Sequence, residues 1–483
     1  MKQPTLVATA VCLLCLPALA AAESLLEVYQ QALQSDPQVR EAEFNRNAAE
    51  EAAPQARGAL LPQITATGSY EDSTSDGNNV FVQRFEDPNT GQEIFLTQNT
   101  QRERDSEATQ WQVELTQTLF RWDQFVELKR AGKRVAQAYA NYEAAQQDLI
   151  VRVADRYFNV LAAQDSVSAA TASKRAIARQ LDQAKQRFDV GLIAITDVQE
   201  SQAAFDQATA DEISAKRNLA TAKEFLREIT GTYTGDLEAP QRGLPLVLPE
   251  PASANDWVAT AIEQNLNLQA SRLNAEIAQA EINSRRSSHY PTLSLFARVS
   301  DIDDSATQAL NGGNPDPADF SQRTESVGIQ FSIPIYAGGT VSSRVREAIQ
   351  LHHAAREQLQ RVARETERQA RDAYLGIETD IARVNALTQS LASSQTALEA
   401  TEAGLEVGTR TTVDVLDAQR NVFNAFTTLE RARYDYLLNV LRLKQAAGTL
   451  RVQDLESIEA YLEQRGVDNV PRGIRSPEER SDG

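Results

Sequence analysis

The sequence predicts a mainly α-helical chain with a small β part, built from two similar halves, and three observations predict it. Trp122 to Asp189 is 68 residues and Val341 to Val407 is 67, and neither run contains a proline. Four short stretches alternate apolar and polar residues with the period of a strand, two ahead of each long run. The third observation is collinear self-similarity. Ala32-Leu33-Gln34-Ser35-Asp36-Pro37 matches Ala261-Ile262-Glu263-Gln264-Asn265-Leu266, and Leu115 to Phe120 matches Phe331 to Tyr336. Val190 to Val198 matches Val407 to Val415, which aligns Gly191 with Gly408, Asp197 with Asp414 and Gln202 with Gln419.

Taken in order, the chain opens on Lys2, an apolar run from Leu6 to Leu19 and Ala20-Ala21-Ala22. A basic start, a short apolar stretch and a small-residue site predict a secretory signal peptide over 1–22. Cys12 and Cys15 are the only cysteines and both fall inside it, so the mature chain is expected to hold no disulfide and no thiolate ligand. Formal net charge is −19, or −20 once Lys2 is removed, which argues against nucleic acid as a partner. Three histidines (His289, His352 and His353) without ligand spacing predict no metal site, and no cofactor is expected. Neither a nucleophile–base constellation nor a Gly-rich phosphate loop is present, so no enzymatic activity is expected.

The first repeat is assigned to 23–230 and the second to 257–450. Residues 231–256, with Pro240, Pro245, Pro249 and Pro251, form a linker, and 451–483 a C-terminal segment with a disordered tail. Each half opens with an Ala- and Glu-rich helix, near 37–57 and 267–289, ahead of Pro62 or Pro291. Strands follow. Ile64, Ala66, Gly68 and Tyr70 oppose Gln63, Thr65, Thr67 and Ser69, while Trp111, Val113 and Leu115 oppose Gln110, Gln112 and Glu114. The 33 residues 73–105 between them, rich in Asp, Asn, Gly and Thr, are expected to be a loop. The second half repeats the alternation at Leu293, Leu295, Ala297 and Val299 and again at Val327, Ile329, Phe331 and Ile333.

A single apolar face kept on four strands, with Trp111, Phe120, Trp122 and Tyr336 toward their ends, predicts strands in lipid with aromatics at the membrane interfaces. Four strands cannot close a barrel, and open edges are not tolerated in lipid. The barrel must be shared between copies. The long runs carry heptads (Leu128, Val135, Tyr142, Leu149; Ile377, Val384, Leu391, Leu398), and return helices near 197–229 and 413–447 make two coiled-coil hairpins. Gly191 and Gly408 supply the backbone freedom for the turns, and Thr412 or Asp414 is expected to cap the last long helix. Asp414 and Asp417, three apart, share one helical face. A secreted or periplasmic coiled-coil structural or adhesive protein is the alternative, and it leaves the four amphipathic strands unexplained.

The whole mature chain resembles the TolC family of outer-membrane efflux proteins. Besides the repeat, the resemblance rests on Leu26-Glu27-Val28-Tyr29-Gln30-Gln31-Ala32, Tyr157-Phe158-Asn159-Val160-Leu161, Gln180-Leu181-Asp182-Gln183, the two turns, and Ile335-Tyr336-Ala337-Gly338-Gly339. It implies a homotrimer with a 12-stranded β-barrel, four strands per protomer, continuous with a long α-helical coiled-coil barrel. It also implies an exit duct in the cell outer membrane, spanning into the periplasm, for tripartite efflux pumps or type I secretion. The implied partners are outer-membrane lipid, a periplasmic adaptor protein and an inner-membrane transporter. By the same resemblance, Asp414 and Asp417 form carboxylate rings at the closed periplasmic entrance, where crowding should raise their pKa values. Arg410 with Thr196 and Asp197 provides links between hairpin tips, and Gly191, Leu192, Gly408 and Thr409 contact the adaptor. Leu405 stands where the family often has tyrosine, which removes one hydroxyl from those links.

Overall fold

The computed structural model describes residues 22–86, 88, 91–241 and 244–463. The expected signal segment before Ala22 and the tail from 464 onward lie outside them. The elements in order are α1 (Leu25–Ser35), α2 (Pro37–Glu50), α3 (Ala52–Gly58), β1 (Gln63–Glu86), β2 (Glu93–Phe120), α4 (Trp122–Asp189) and α5 (Ile195–Thr230). There follow β3 (Ala239–Pro240), α6 (Ala254–Gln264), α7 (Leu266–Ser287), β4 (Thr292–Leu310), β5 (Asp316–Pro317) and β6 (Phe320–Ser332). The last are α8 (Thr340–Glu406), α9 (Thr412–Ala447), α10 (Val452–Glu459) and β7 (Leu462–Glu463). The chain forms two compact units, and both halves of the sequence contribute to each. One comprises the described residues of Met1–Arg46, Ala138–Arg272 and Gln358–Gly483, the other those of Asn47–Gln137 and Leu273–Glu357.

In the second unit the strands order β1-β2-β4-β6, all antiparallel, with the short β5 also on β4. The register puts the expected apolar residues in rows: Ile64, Leu115, Ala297 and Val327 lie directly across from one another. The band ends where Gly68, Trp111, Asp301 and Arg323 align. Val327, Ile329 and Phe331 are 78, 65 and 64 % exposed, so this face has no cover within the chain. The opposite face is polar, with Arg298 bonded to Glu114 at 3.0 Å. Near the base of the sheet its exception is Phe296, whose ring occupies the space a side chain at Gly328 would need. Among the described residues nothing pairs the outer edges of β1 and β6, so the sheet is open on both sides.

The loop expected over 73–105 is corrected. The β1–β2 ladder continues without a register break from Gln63↔Thr116 to Glu86↔Glu93. Both faces of that stretch are polar near 71–79, so the alternation that marks a strand half-buried in lipid disappears there while the backbone pairing persists.

The first unit is helical, and no helix among the described residues is long and apolar enough to cross a membrane. Its core gathers Leu25, Val28, Tyr157, Phe158, Ile377, Tyr434 and Leu441. Phe158 stacks on Tyr434 with centroids 5.7 Å apart. Tyr157 is fully buried between the carbonyls of Glu23 and Glu238, to which its hydroxyl donates at 3.1 and 2.7 Å. The linker is tied down by Tyr436, whose hydroxyl donates to the Val247 carbonyl (2.9 Å) and accepts from its N–H (3.0 Å).

The repeat reaches individual caps. Asp36, between α1 and α2, accepts from the Val39 N–H at 2.9 Å, as Asn265, between α6 and α7, accepts from the Leu268 N–H at 2.9 Å. Gly231 and Gly448 end α5 and α9 in the left-handed region, both at φ 75°. Left-handed φ is where glycine avoids the Cβ clash of other residues.

Candidate functional site at the hairpin turns

The turns between α4 and α5 and between α8 and α9 lie in the helical unit and share one backbone design. Gly191 (φ 75°) and Gly408 (φ 74°) follow the last helical residues. Leu192 N–H donates to the Arg187 carbonyl at 2.9 Å, and Thr409 N–H donates to the Gly404 carbonyl at 2.8 Å, each reaching five residues back. These bonds satisfy helix-end carbonyls that would otherwise lack partners. Val190, Leu192 and Val407 around them are 70–74 % exposed.

The second turn is the more tightly tied. The Gly404 carbonyl also accepts from the Arg410 N–H (3.2 Å) and from the Thr409 hydroxyl (3.1 Å). A side chain at Gly404 would press on Arg410, whose Cγ lies 2.7 Å from where its Cβ would stand. Gly404 is a site residue that sequence reasoning missed. Leu405 packs with Leu398, Val415 and Val422, so it contributes apolar contact where a tyrosine would offer a hydroxyl.

The cap of α9 is Thr411, not Thr412 or Asp414 as expected. Thr411 is extended (φ −93°, ψ 163°), and its hydroxyl accepts from the Asp414 N–H at 3.3 Å. Asp414 accepts in return from the Thr411 N–H and hydroxyl, both at 2.9 Å. Those two bonds, with Arg410 nearby, hold the Asp414 carboxyl below the usual carboxylate range. These donors are local to one chain, whereas the crowding expected to raise the carboxyl is between chains. Asp417 sits one turn on, exposed, with Arg420 at 3.6 Å.

The first turn lacks this box. Ala194 stands at the cap of α5 with no side-chain bond, and Asp197 has no reciprocal partner there. Ala194→Thr is therefore expected to stabilise the start of α5 by about 0.5–2 kcal/mol. Hydrogen exchange of amides 195–198 checks it: slower exchange is expected, and Thr411→Ala should speed exchange at 412–415.

Among the described residues, no hydrogen bond or ion pair joins Arg410 to Thr196 or Asp197. The structure brings the two hairpins together through Ile177, Ala204, Ala208 and Leu416 instead. Beside this contact Gln419 is 7 % exposed, and its side-chain oxygen has no partner. Farther along the first hairpin Glu212 bridges Lys216 (2.7 Å) and Lys174 (2.9 Å), which hold it at about 2. The remaining predicted residues belong to the sheet unit. Trp111, Phe120 and Trp122 are 40–44 % exposed and Tyr336 is 88 % exposed. No cluster of metal-ligating side chains occurs among the described residues.

The outer membrane efflux protein family model matches the chain twice, over residues 28–232 and 257–449, one match in each repeat. The chain is 38 % identical to the outer membrane protein TolC of Vibrio cholerae over 441 residues, covering 91 % of this chain and 94 % of that one. It is 30 % identical over 447 residues to the alkaline protease secretion protein AprF of Pseudomonas aeruginosa, covering 90 % and 86 %. The Campylobacter jejuni CmeC outer membrane channel has the same fold, with a TM-score of 0.68 at 16 % identity over 91 % of this chain and 90 % of that one. With both repeats matched and the mainly α fold with its four-stranded β part shared, the chain belongs to the outer membrane efflux protein family.

Proposed function

We propose that this chain, an outer-membrane exit duct for efflux and type I secretion, works as a homotrimer gated at its hairpin turns. One observation carries the reading: a four-stranded sheet with an uncovered apolar face and two unpaired edges. In lipid each unpaired backbone group costs several kcal/mol, so the edges must be joined by other copies. Three copies supply twelve strands, enough to enclose an aqueous lumen lined by the polar face. From Trp111 to Phe120 is nine residue steps, roughly 23 Å of height at ~3.4 Å per residue and a tilt near 40°, which suits the apolar band of a membrane barrel.

The hairpin turns then come together around one axis, and Asp414 and Asp417 form stacked carboxylate rings at the narrow entrance. Arg410 links to Thr196 and Asp197 across neighbouring hairpins, a contact available only in the assembly. Gly191, Leu192, Gly408 and Thr409 present the surface that a periplasmic adaptor grips, with an inner-membrane transporter beyond it. The exposed Val190, Leu192 and Val407 support that use. The duct is passive in this reading: it performs no catalysis and needs no cofactor.

Planar-bilayer recording tests the gate. Asp414→Ala combined with Asp417→Ala is expected to raise the blocking concentration of hexaamminecobalt added on the helical side by about tenfold or more. In the same recordings Arg410→Ser should raise resting conductance. An unchanged block would reduce the two aspartates to helix-end residues.

A further inference from the structure

The β1–β2 hairpin outruns the rest of its sheet. The outermost β2–β4 pair is Arg102↔Leu310, and Asn311 closes that edge through the Gln101 backbone at 2.8 Å on both its N–H and its side-chain oxygen. Beyond it, β1 and β2 continue alone from Asn79↔Thr100 to Glu86↔Glu93. These eight pairs form a two-stranded ribbon about 26 Å long at ~3.3 Å per residue. A lone ribbon in water is marginally stable. This one carries Val80, Phe81, Val82, Phe85, Phe95 and Leu96, all 51–61 % exposed.

The register divides them between two faces, with Val80, Val82 and Phe95 on one and Phe81, Phe85 and Leu96 on the other. With no break between Gln63 and Glu86, Phe81 and Phe85 lie on the same face of β1 as Gln63, Thr65, Thr67 and Ser69, and Leu96 joins them opposite Gln83. The face that is polar at the base turns apolar in the ribbon. Lipid does not account for that cover. The membrane-facing band ends at the Gly68–Trp111 row, and the polar stretch 71–79 then separates it from Phe81 by about 30 Å, more than the ~25 Å height of an apolar band.

We infer that the distal ribbons of three copies converge over the mouth of the shared barrel and bury Phe81, Phe85 and Leu96 against one another as an outer lid. The inference rests on the trimeric reading above. β1 is the open edge that must join the next copy, so the ribbon continues that interface. A twelve-stranded barrel has a radius of about 12 Å at ~4.8 Å strand spacing and ~40° tilt, so ribbons of this length reach the axis. The duct thereby has a second constriction, at the end of the sheet away from the helices.

The test uses the full-length chain in outer membranes, where removal of 1–22 leaves no native cysteine. Phe85→Cys treated with a short bismaleimide is expected to give a covalent dimer of chains on a denaturing gel, leaving one chain of each trimer unlinked. As a second variant, Phe81→Ser with Phe85→Ser and Leu96→Ser, made in an Arg410→Ser chain whose tip entrance is relaxed, should raise single-channel conductance about twofold or more over Arg410→Ser alone while the heat-sensitive trimer persists. If the trimer persists but the Phe85→Cys chains stay monomeric on the denaturing gel, the lid is overturned. That holds whether the introduced thiol is open to a soluble maleimide (a free ribbon) or shielded from it (covered by lipid or another chain). Absence of the trimer itself is a different failure and removes the duct reading.

Discussion

Arg152→Met is expected to destabilise the helical unit by about 3–5 kcal/mol, the cost of stripping the partner from a buried charge. Asp36 is 2 % exposed, and Arg152 grips both its oxygens at 2.8 and 3.2 Å while its Nε holds Asp148 at 2.6 Å. Burial pushes the Asp36 carboxyl up, but Arg152 and the Val39 and Gln38 N–H groups outweigh it, and the folded value lies below the ordinary one. A carboxyl depressed in the folded state adds stability above its unfolded pKa, near 3.9, and loses it as pH falls through the lower folded value. In Arg152→Met only the Val39 and Gln38 N–H groups still oppose burial, so the folded value rises. The variant's deficit should be largest near neutral pH and shrink on acidification. Hydrogen exchange of amides 38–41 across pH 4–7 reads both effects, and a deficit independent of pH would point to lost packing alone.

Gly448→Ala should cost roughly 2–5 kcal/mol, from left-handed strain of about 1–2 and overpacking of about 1–3. Gly448 ends α9 at φ 75°, and a Cβ there would strike the Gln264 carbonyl, 2.6 Å from its carbon and 2.9 Å from the Asn265 Cα. Those atoms are backbone at the α6–α7 junction and cannot rotate away. Asn265 donates to the Ala446 carbonyl at 3.0 Å, and Gln147 of α4 donates to the Gly448 carbonyl at 3.1 Å, so displacement would break bonds within the junction and to α4. Gly231 is the built-in comparison. Its neighbour is the Ser35 side chain at 3.4 Å, which can yield, so Gly231→Ala should cost little beyond the strain. Thermal unfolding of the two variants side by side in detergent checks the order, and equal losses would mean the backbone collision is relieved.

The long helices were legible because nothing interrupts them. The expected bounds Trp122 to Asp189 match α4, and 341–407 is one residue off α8. The strands at 64–70, 111–115, 293–299 and 327–333 were legible because lipid and water on opposite faces impose a period of two, although Ile333 falls just past the end of β6. Residues 73–105 were misread for the same reason in reverse: near 71–79 both faces are polar, and composition there no longer distinguishes ladder from loop. Val80, Phe81 and Val82 were the strand signal available there. Thr411, Thr412 and Asp414 are all capping residue types, and only the extended backbone at Thr411 decides among them. The Asp36–Arg152 pair joins residues 116 apart and leaves no local trace. For the same reason the absence of an Arg410–Asp197 contact within one chain could not be read from two matched turns.

In the trimer proposed above, the open edges of β1 and β6 are joined between three copies. Native mass spectrometry of the full-length protein, extracted from outer membranes in mild detergent, measures that number of copies directly. Three chains per particle, falling to one on heating, is the predicted result. A single chain that remains in the membrane fraction, or any stable count other than three, would contradict it.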